Sequence, residues 1–429
     1  MATLPSILAR FLLLLSLLSL SQARVETFTY VNEGELGPYI TENGADYRAL
    51  PPFSSPFQMC FYNTTPGEYY LALRMATLRS ESFFRWVWRA NPFAPVPDNA
   101  TFSLRPDGDL VLANPDGKIV WSTGTANKDV VRLEILPTGN IVLSDSKGKF
   151  VWQSFDHPTD TLLVGQSLRP GGATSLVSRN GGAYSVVLES KGLAMYINNV
   201  SSSKPLLYGR LAESSRKVTS ITFACEPQTD SDSGAYAYEL DLVIGPSQGT
   251  AVLARPKYNA TLSFLRIEED GNLVVYTYYD PVDYRAWEKT YAYFYNDLGQ
   301  VSTCMLPSKC GGFGLCDEEM CVACPTKDGL LGWSESCSTP KLAMGKKCQT
   351  TTSSSVDYYK LVGVENFLTS YGKGTDVNVE GCKKRCSSDC KCLGFFYWEL
   401  ESKCWLAPLL GTLAKVSNSS HVAYVKFVK

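Results

Sequence analysis

Apolar and polar positions alternate along much of this chain with a period of two, the spacing of strands that bury one face. The stretch "FSLRPDGDLVLANPDGKIVWSTGT" is followed by "LEILPTGNIVLSDSKGKFVWQSFD", and the two align at a constant offset of 31 residues. Asp107 falls on Thr138, Gly108 on Gly139, Asp109 on Asn140, Val111 on Val142 and Trp121 on Trp152. A weaker copy, "YYLALRM" then "FRWVWRAN", precedes them and ends at Trp88. Each copy predicts a strand, a glycine-containing turn, a second short strand and a tryptophan. No copy can bury its own leucines and tryptophan. The pattern therefore predicts three sheets around one axis, with Leu110, Leu112, Ile141, Leu143 and the tryptophans at the centre. Helical periodicity is nearly absent up to about residue 300, which predicts an all-β architecture there.

The same alternation returns in "YSVVLESKGLAMY" and "SFLRIEEDGNLVVY". In the second, Leu273 and Val275 share one face, and Asp270, Asn272, Val274 and Tyr276 share the other. The small-residue stretch "GQSLRPGGATS" reads as a linker between the two halves. Beyond residue 300 the pattern gives way to cysteines. Of fourteen in the chain, twelve lie between Cys304 and Cys404, and only Cys60 and Cys225 lie upstream.

Charge narrows the function classes. The net charge is −2, and no Lys/Arg block is long enough to track a phosphate backbone, so nucleic acid is not an expected partner. Arg10, the short apolar run Phe11 to Leu20 and the small residues Ser21-Gln22-Ala23 predict a signal peptide over 1–23. That run is too short to span a bilayer, which takes about 20 residues, and no membrane span is expected elsewhere. Sequons at Asn63, Asn99, Asn199, Asn259 and Asn418, with an even cysteine count, fit a secreted, extracellular glycoprotein. Cys321-x-x-Cys324 alone could suggest zinc or redox chemistry. In a secreted chain with two histidines and many nearby cysteines, disulfides are the better reading, and neither a metal nor a cofactor is expected.

The stretches "RWVWRANPFAPVPDNATFSL", "GDLVLANPDGKIVWST" and above all "WQSFDHPTDTLLVGQSL" resemble the bulb-type mannose-binding lectin domain of plants. Their order is similar to that in S-locus glycoproteins and epidermis-specific secreted glycoproteins, over nearly the whole chain. The resemblance implies a β-prism of three four-stranded sheets at 24–169 and a diverged second prism at 170–300. The spacing of Cys304, Cys310, Cys316, Cys321, Cys324 and Cys337, with "CGGFGLC", resembles an EGF-like module over 301–340. Six cysteines allow fifteen pairings, which spacing alone does not resolve. The segment 345–429 resembles an α+β PAN/apple domain, with Cys382 and Cys386 at i and i+4 on one helix face. That resemblance implies Cys382–Cys404 and Cys386–Cys392, leaving Cys348 and Cys390 for each other. Cys60 and Cys225 fall in different prisms. They either bridge the two or join another chain, and few free thiols are expected.

In the family, mannose is held by a strand reading Q-x-D-x-N-x-V-x-Y. Residues two apart share a face, so the polar groups converge on one hexose while valine meets its C–H surface. Arg105, Asp107, Asp109, Val111 and Ala113 have lost Gln, Asn and Tyr; Leu136, Thr138, Asn140, Val142 and Ser144 keep only Asn and Val. Leu188, Ser190, Gly192, Ala194 and Tyr196 keep only the tyrosine. Glu268, Asp270, Asn272, Val274 and Tyr276 depart only at the first position, and they are the candidate carbohydrate site. Asp-Gly-Asn is also ordinary hairpin chemistry, so a purely structural strand is the alternative. No metalloprotease, nucleophile-elbow, P-loop or dinucleotide motif occurs. Asp156, His157 and Asp160 beside Pro158 read as a turn. The expected function is weak binding of mannose-type glycans or glycoproteins. Its rivals are an interaction protein working through the PAN domain and a carbohydrate-active enzyme.

Overall fold

The computed structural model describes residues 24–77, 83–198, 204–228, 237–280, 286–295, 301–340 and 356–428. The predicted signal peptide, Asn199 and Cys348 lie outside them. Three sheets make the first unit. One pairs Asp46–Ser54, Phe57–Thr65, Glu68–Met75 and Arg85–Arg89; a second pairs Phe28–Val31, Thr101–Leu104, Leu110–Ala113 and Ile119–Ser122. The third has three strands, Val130–Ile135, Ile141–Asp145 and Phe150–Gln153, where the resemblance implied four. The repeat is visible in the register: Leu73 lies opposite Trp88, Leu112 opposite Trp121 and Leu143 opposite Trp152. The three indoles meet near the axis, with ring centroids 5.8, 6.2 and 5.9 Å apart and planes 72°, 70° and 76° to one another. Edge-to-face packing of this kind suits the aromatic quadrupole.

The second unit has three four-stranded sheets. Two of its strands, Thr161–Leu163 and Ser167–Leu168, precede the expected boundary at 169. They pair with Ser263–Ile267 and Ser220–Pro227, so the chain enters the second set of sheets before residue 169, and Ser167–Leu168 lies within the stretch read as a linker. The strand Leu273–Tyr278 lies in the sheet that begins with Thr161–Leu163, between Ser263–Ile267 and Trp287–Ala292.

The two units meet on that sheet. Phe264, Tyr278 and Ala286 are buried within the core cluster of the first unit, with Tyr276 and Trp287 packed against it. The Trp287 indole N–H donates to the Phe83 carbonyl at 2.9 Å, and the Thr77 backbone N–H donates to the Tyr278 hydroxyl at 3.1 Å.

Disulfides and two small apolar clusters hold the C-terminal part together. Cys304–Cys316, Cys310–Cys321 and Cys324–Cys337 each close a loop of 11 to 13 residues, a cross-link that stabilises by about 3 kcal/mol. The helix Val379–Ser388 is capped by the Asn378 side chain, which accepts from the Gly381 N–H at 2.9 Å. Its Cys382 and Cys386 point inward to Cys404 and Cys392. Cys390 is also disulfide-bonded. The two cysteine-rich segments, expected as separate modules, share a sheet: Phe313–Asp317 runs parallel to Gly411–Lys415 and hydrogen-bonds to it. Cys60 and Cys225 do not bridge the prisms, and both are free thiols. Cys60 is enclosed in the first core, where burial pushes its thiol up to about 12.

Candidate functional site

The turn entering the candidate strand is set by glycine and aspartate. Gly271 adopts φ +87°, and its N–H donates to the Glu268 carbonyl at 3.1 Å. The Asp270 carboxylate accepts from the Asn272 N–H at 2.8 Å, an Asx turn. Leu273 and Val275 then point into the second core, both fully buried.

Asn272 does not present its amide to a ligand. It is 5% exposed. Its Nδ2 donates to the Phe294 carbonyl at 3.0 Å, and its Oδ1 accepts from the Phe294 N–H at 3.0 Å. The corresponding side chains in the first unit do the same work. Asp109 accepts from the Thr125 N–H at 2.9 Å, and Asn140 accepts from the Phe155 N–H at 3.2 Å. At all three positions this side chain ties the hairpin to the segment that follows the next strand. The expectation that Asn272 lies on a solvent-facing platform is corrected accordingly: the backbone it satisfies is buried, and an unpaired buried N–H is costly.

The remaining four positions do converge. Glu268, Asp270, Val274 and Tyr276 line a cavity of about 600 Å³ at the seam of the two units, with Arg85 and Lys289 in its walls. The first unit supplies its far side through Ile40, Glu42 and Phe83. The Arg85 guanidinium lies 4.0 Å from the centre of the Tyr276 ring. Burial, and next the carboxylate of Glu268, push the Tyr276 phenol up to about 12. Burial also raises Glu268 above the ordinary carboxylate range, against the pull of Arg266 and Arg179. Its Oε1 has no hydrogen-bond partner among the described residues, the nearest guanidinium nitrogen of Arg266 being 3.9 Å away.

The wall of the cavity contains a buried charge cluster that local patterning did not reveal. Glu42 pairs with Arg179 at 2.7 Å, Arg266 at 2.8 Å and Arg85 at 3.3 Å, and accepts from the Trp86 N–H at 2.8 Å. Asp160, fully buried, pairs with Arg179 at 2.6 Å and Arg266 at 3.6 Å. Burial alone would raise both carboxyls, but the arginines outweigh it and hold both below their ordinary range.

Elsewhere the pattern forms no platform. Val111, Ala113, Val142 and Ser144 are buried, the Tyr196 hydroxyl donates to Glu189, and the Asp107 carboxylate accepts from the Asp109 N–H. Asp156, His157 and Asp160 serve separate partners: Asp156 pairs with Arg169 at 2.8 Å, His157 stacks on Trp152, and Asp160 belongs to the charge cluster. Of the described sequons, Asn99, Asn259 and Asn418 are exposed, whereas Asn63 is 4% exposed. Folded protein does not offer Asn63 as an acceptor.

The family described as D-mannose binding lectin matches residues 85–179. EP1-like glycoprotein 2 of Arabidopsis thaliana is 48% identical, across 93% of this chain and 94% of its own. The epidermis-specific secreted glycoprotein EP1 of Daucus carota is 53% identical, across 74% of this chain and 88% of its own. Among solved structures, the mannose-specific agglutinin of snowdrop bulbs, complexed with methyl-α-D-mannoside, is 19% identical, covering 27% of this chain and 77% of its own with a TM-score of 0.12. Identity of 48% to EP1-like glycoprotein 2 over almost the full length of both chains shows that this chain belongs to the EP1-like glycoproteins.

Proposed function

We propose that this protein is a secreted, extracellular lectin-like glycoprotein that binds mannose-type glycans weakly at the seam between its prisms. The observation that carries the reading is the convergence of Glu268, Asp270, Val274 and Tyr276 on one cavity. Two carboxylates, a phenol and a lysine supply acceptors and donors for sugar hydroxyls, and Val274 supplies an apolar contact. The cavity is of a size that holds a small ligand, and useful avidity from one such site needs several chains or several ligand ends. The Daucus relative, named as a secreted glycoprotein, supports the location. We further assign 301–340 to an EGF-like and 345–429 to a PAN/apple module, Cys348 to Cys390, and glycans to Asn99, Asn259 and Asn418.

A second reading, an interaction protein docking a protein partner, is favoured by the edge strand Gly329–Gly332, where Leu330 and Leu331 are 58% and 62% exposed. A glycan array on the secreted protein separates the two. Mannose-inhibitable glycan binding is expected. Binding to no glycan, together with capture of a protein partner that Leu330→Lys abolishes, supports the second reading.

A further inference from the structure

The open end of the first prism carries a second cavity, of about 590 Å³, lined by Trp88, Trp121 and Trp152 with Arg89, Asp156 and His157. The register does not by itself require three indoles there. In the second prism the residue opposite Val275 is Tyr291, opposite Met195 is Gly209 and opposite Leu242 is Ala251. At this register the second prism carries one aromatic ring and two small residues, and other aromatics, among them Tyr208, Phe223 and Phe294, fill its core. In the first prism Trp121 and Trp152 are only partly buried, and an exposed His157 stacks on Trp152 at 5.4 Å, 9° from parallel. Arg89 in the wall is 5% exposed, and its Nε has no hydrogen-bond partner among the described residues.

We propose that this cavity is a second glycan site, independent of the seam, which takes a neutral gluco-configured pyranose such as the end of a β-1,4-glucan. Indole faces and edges favour a ring whose axial positions are all C–H, and a β-glucosyl unit offers that on both faces. The axial 2-hydroxyl of mannose interrupts one of them and would enter the aromatic cup without a partner. Asp156 accepts from an equatorial hydroxyl at the rim, and Arg89, buried in the wall, donates to one that enters the cup.

The test is a titration of the secreted, full-length protein with cellohexaose and with mannotriose, following tryptophan emission. A saturable change is expected with cellohexaose and a much smaller one with mannotriose. Trp121→Ala should weaken cellohexaose binding roughly tenfold or more, the effect of losing an aromatic contact and its excluded water. His157→Ala, an exposed position that leaves the fold intact, should weaken it several-fold and serves if the tryptophan variant fails to fold. Tyr276→Phe at the seam should leave this titration unchanged, so failure of the seam reading is scored separately. No saturable change, an equal response to mannotriose, or unaltered affinity in both cavity variants overturns the proposal.

Discussion

The two prisms are built on one register but spend it differently. Each starts a strand with a glycine turn and ties that turn to the next segment through the side chain after the glycine: Asp109 and Asn140 in the first, Asn272 in the second. At the centre they part. The first closes on three indoles, and the second, with Tyr291 opposite Val275, closes on Tyr208, Phe223 and Phe294, with Phe367 of the C-terminal part buried in the same cluster. Their outer faces differ as well, because the sheet holding Leu273–Tyr278 is packed on the first unit. A family motif can thus persist in letters while its neighbours decide which of its groups a ligand meets.

The largest effect that would break this comparison lies in the charge cluster joining the units. Glu42→Ala leaves Arg85, Arg179 and Arg266 facing one another with only Asp160 and Glu268 near. Removing one partner from such a buried set costs about 3–5 kcal/mol. Thermal unfolding should show a melting point many degrees lower, and a variant as stable as the parent would mean that the charge cluster does not hold the units together. Next, Asn272→Ala and Asn140→Ala should each destabilise by about 1–3 kcal/mol, since the first leaves a buried and the second a partly buried backbone N–H unpaired. Denaturant unfolding of the two variants side by side sharpens the comparison. Destabilisation by Asn140→Ala alone would return Asn272 to the role of a ligand group.

A smaller effect concerns pH. Asp241, in the strand Tyr238–Gly245 of the second prism, is pushed up to about 6 by burial first and then by Glu239, and its Oδ1 has no hydrogen-bond partner among the described residues. A carboxyl whose folded pKa lies above its unfolded value of about 3.9 costs stability when ionised. That cost is present above pH 6 and disappears as pH falls from 6 toward 4. Asp241→Asn should therefore raise the melting point at pH 7 and do little at pH 4. Glu42 and Asp160 act with the opposite sign: their folded pKa values are depressed, so their stabilisation is present above the ordinary carboxylate range and is lost below it. Equal shifts for Asp241→Asn at both pH values would contradict the assignment.

Much of the fold was legible because its signals are local. The 31-residue repeat, the turn glycines and the tryptophan ending each copy all sit within one or two strands. The inward pair Cys382 and Cys386 follows from helical spacing. What stayed hidden depends on distance along the chain. Glu42 meets Arg266 across 224 residues, and no periodicity announces that. Asn272 was misplaced for a different reason: an amide satisfies a sugar or a backbone equally well, and only the position of Phe294 distinguishes them. Thr161–Leu163 pairs with the second unit, and a three-residue strand carries too little pattern to name its partner.

The most direct test of the seam site is titration of the secreted protein with a mannose-type oligosaccharide, comparing the parent with Tyr276→Phe. The substitution removes one hydroxyl and leaves the ring beneath Arg85. Loss of one hydrogen bond should weaken binding up to about tenfold while the melting point stays within a degree or two of the parent. Undiminished affinity in Tyr276→Phe, with binding still inhibited by methyl mannoside, would place recognition elsewhere on the molecule and contradict the account.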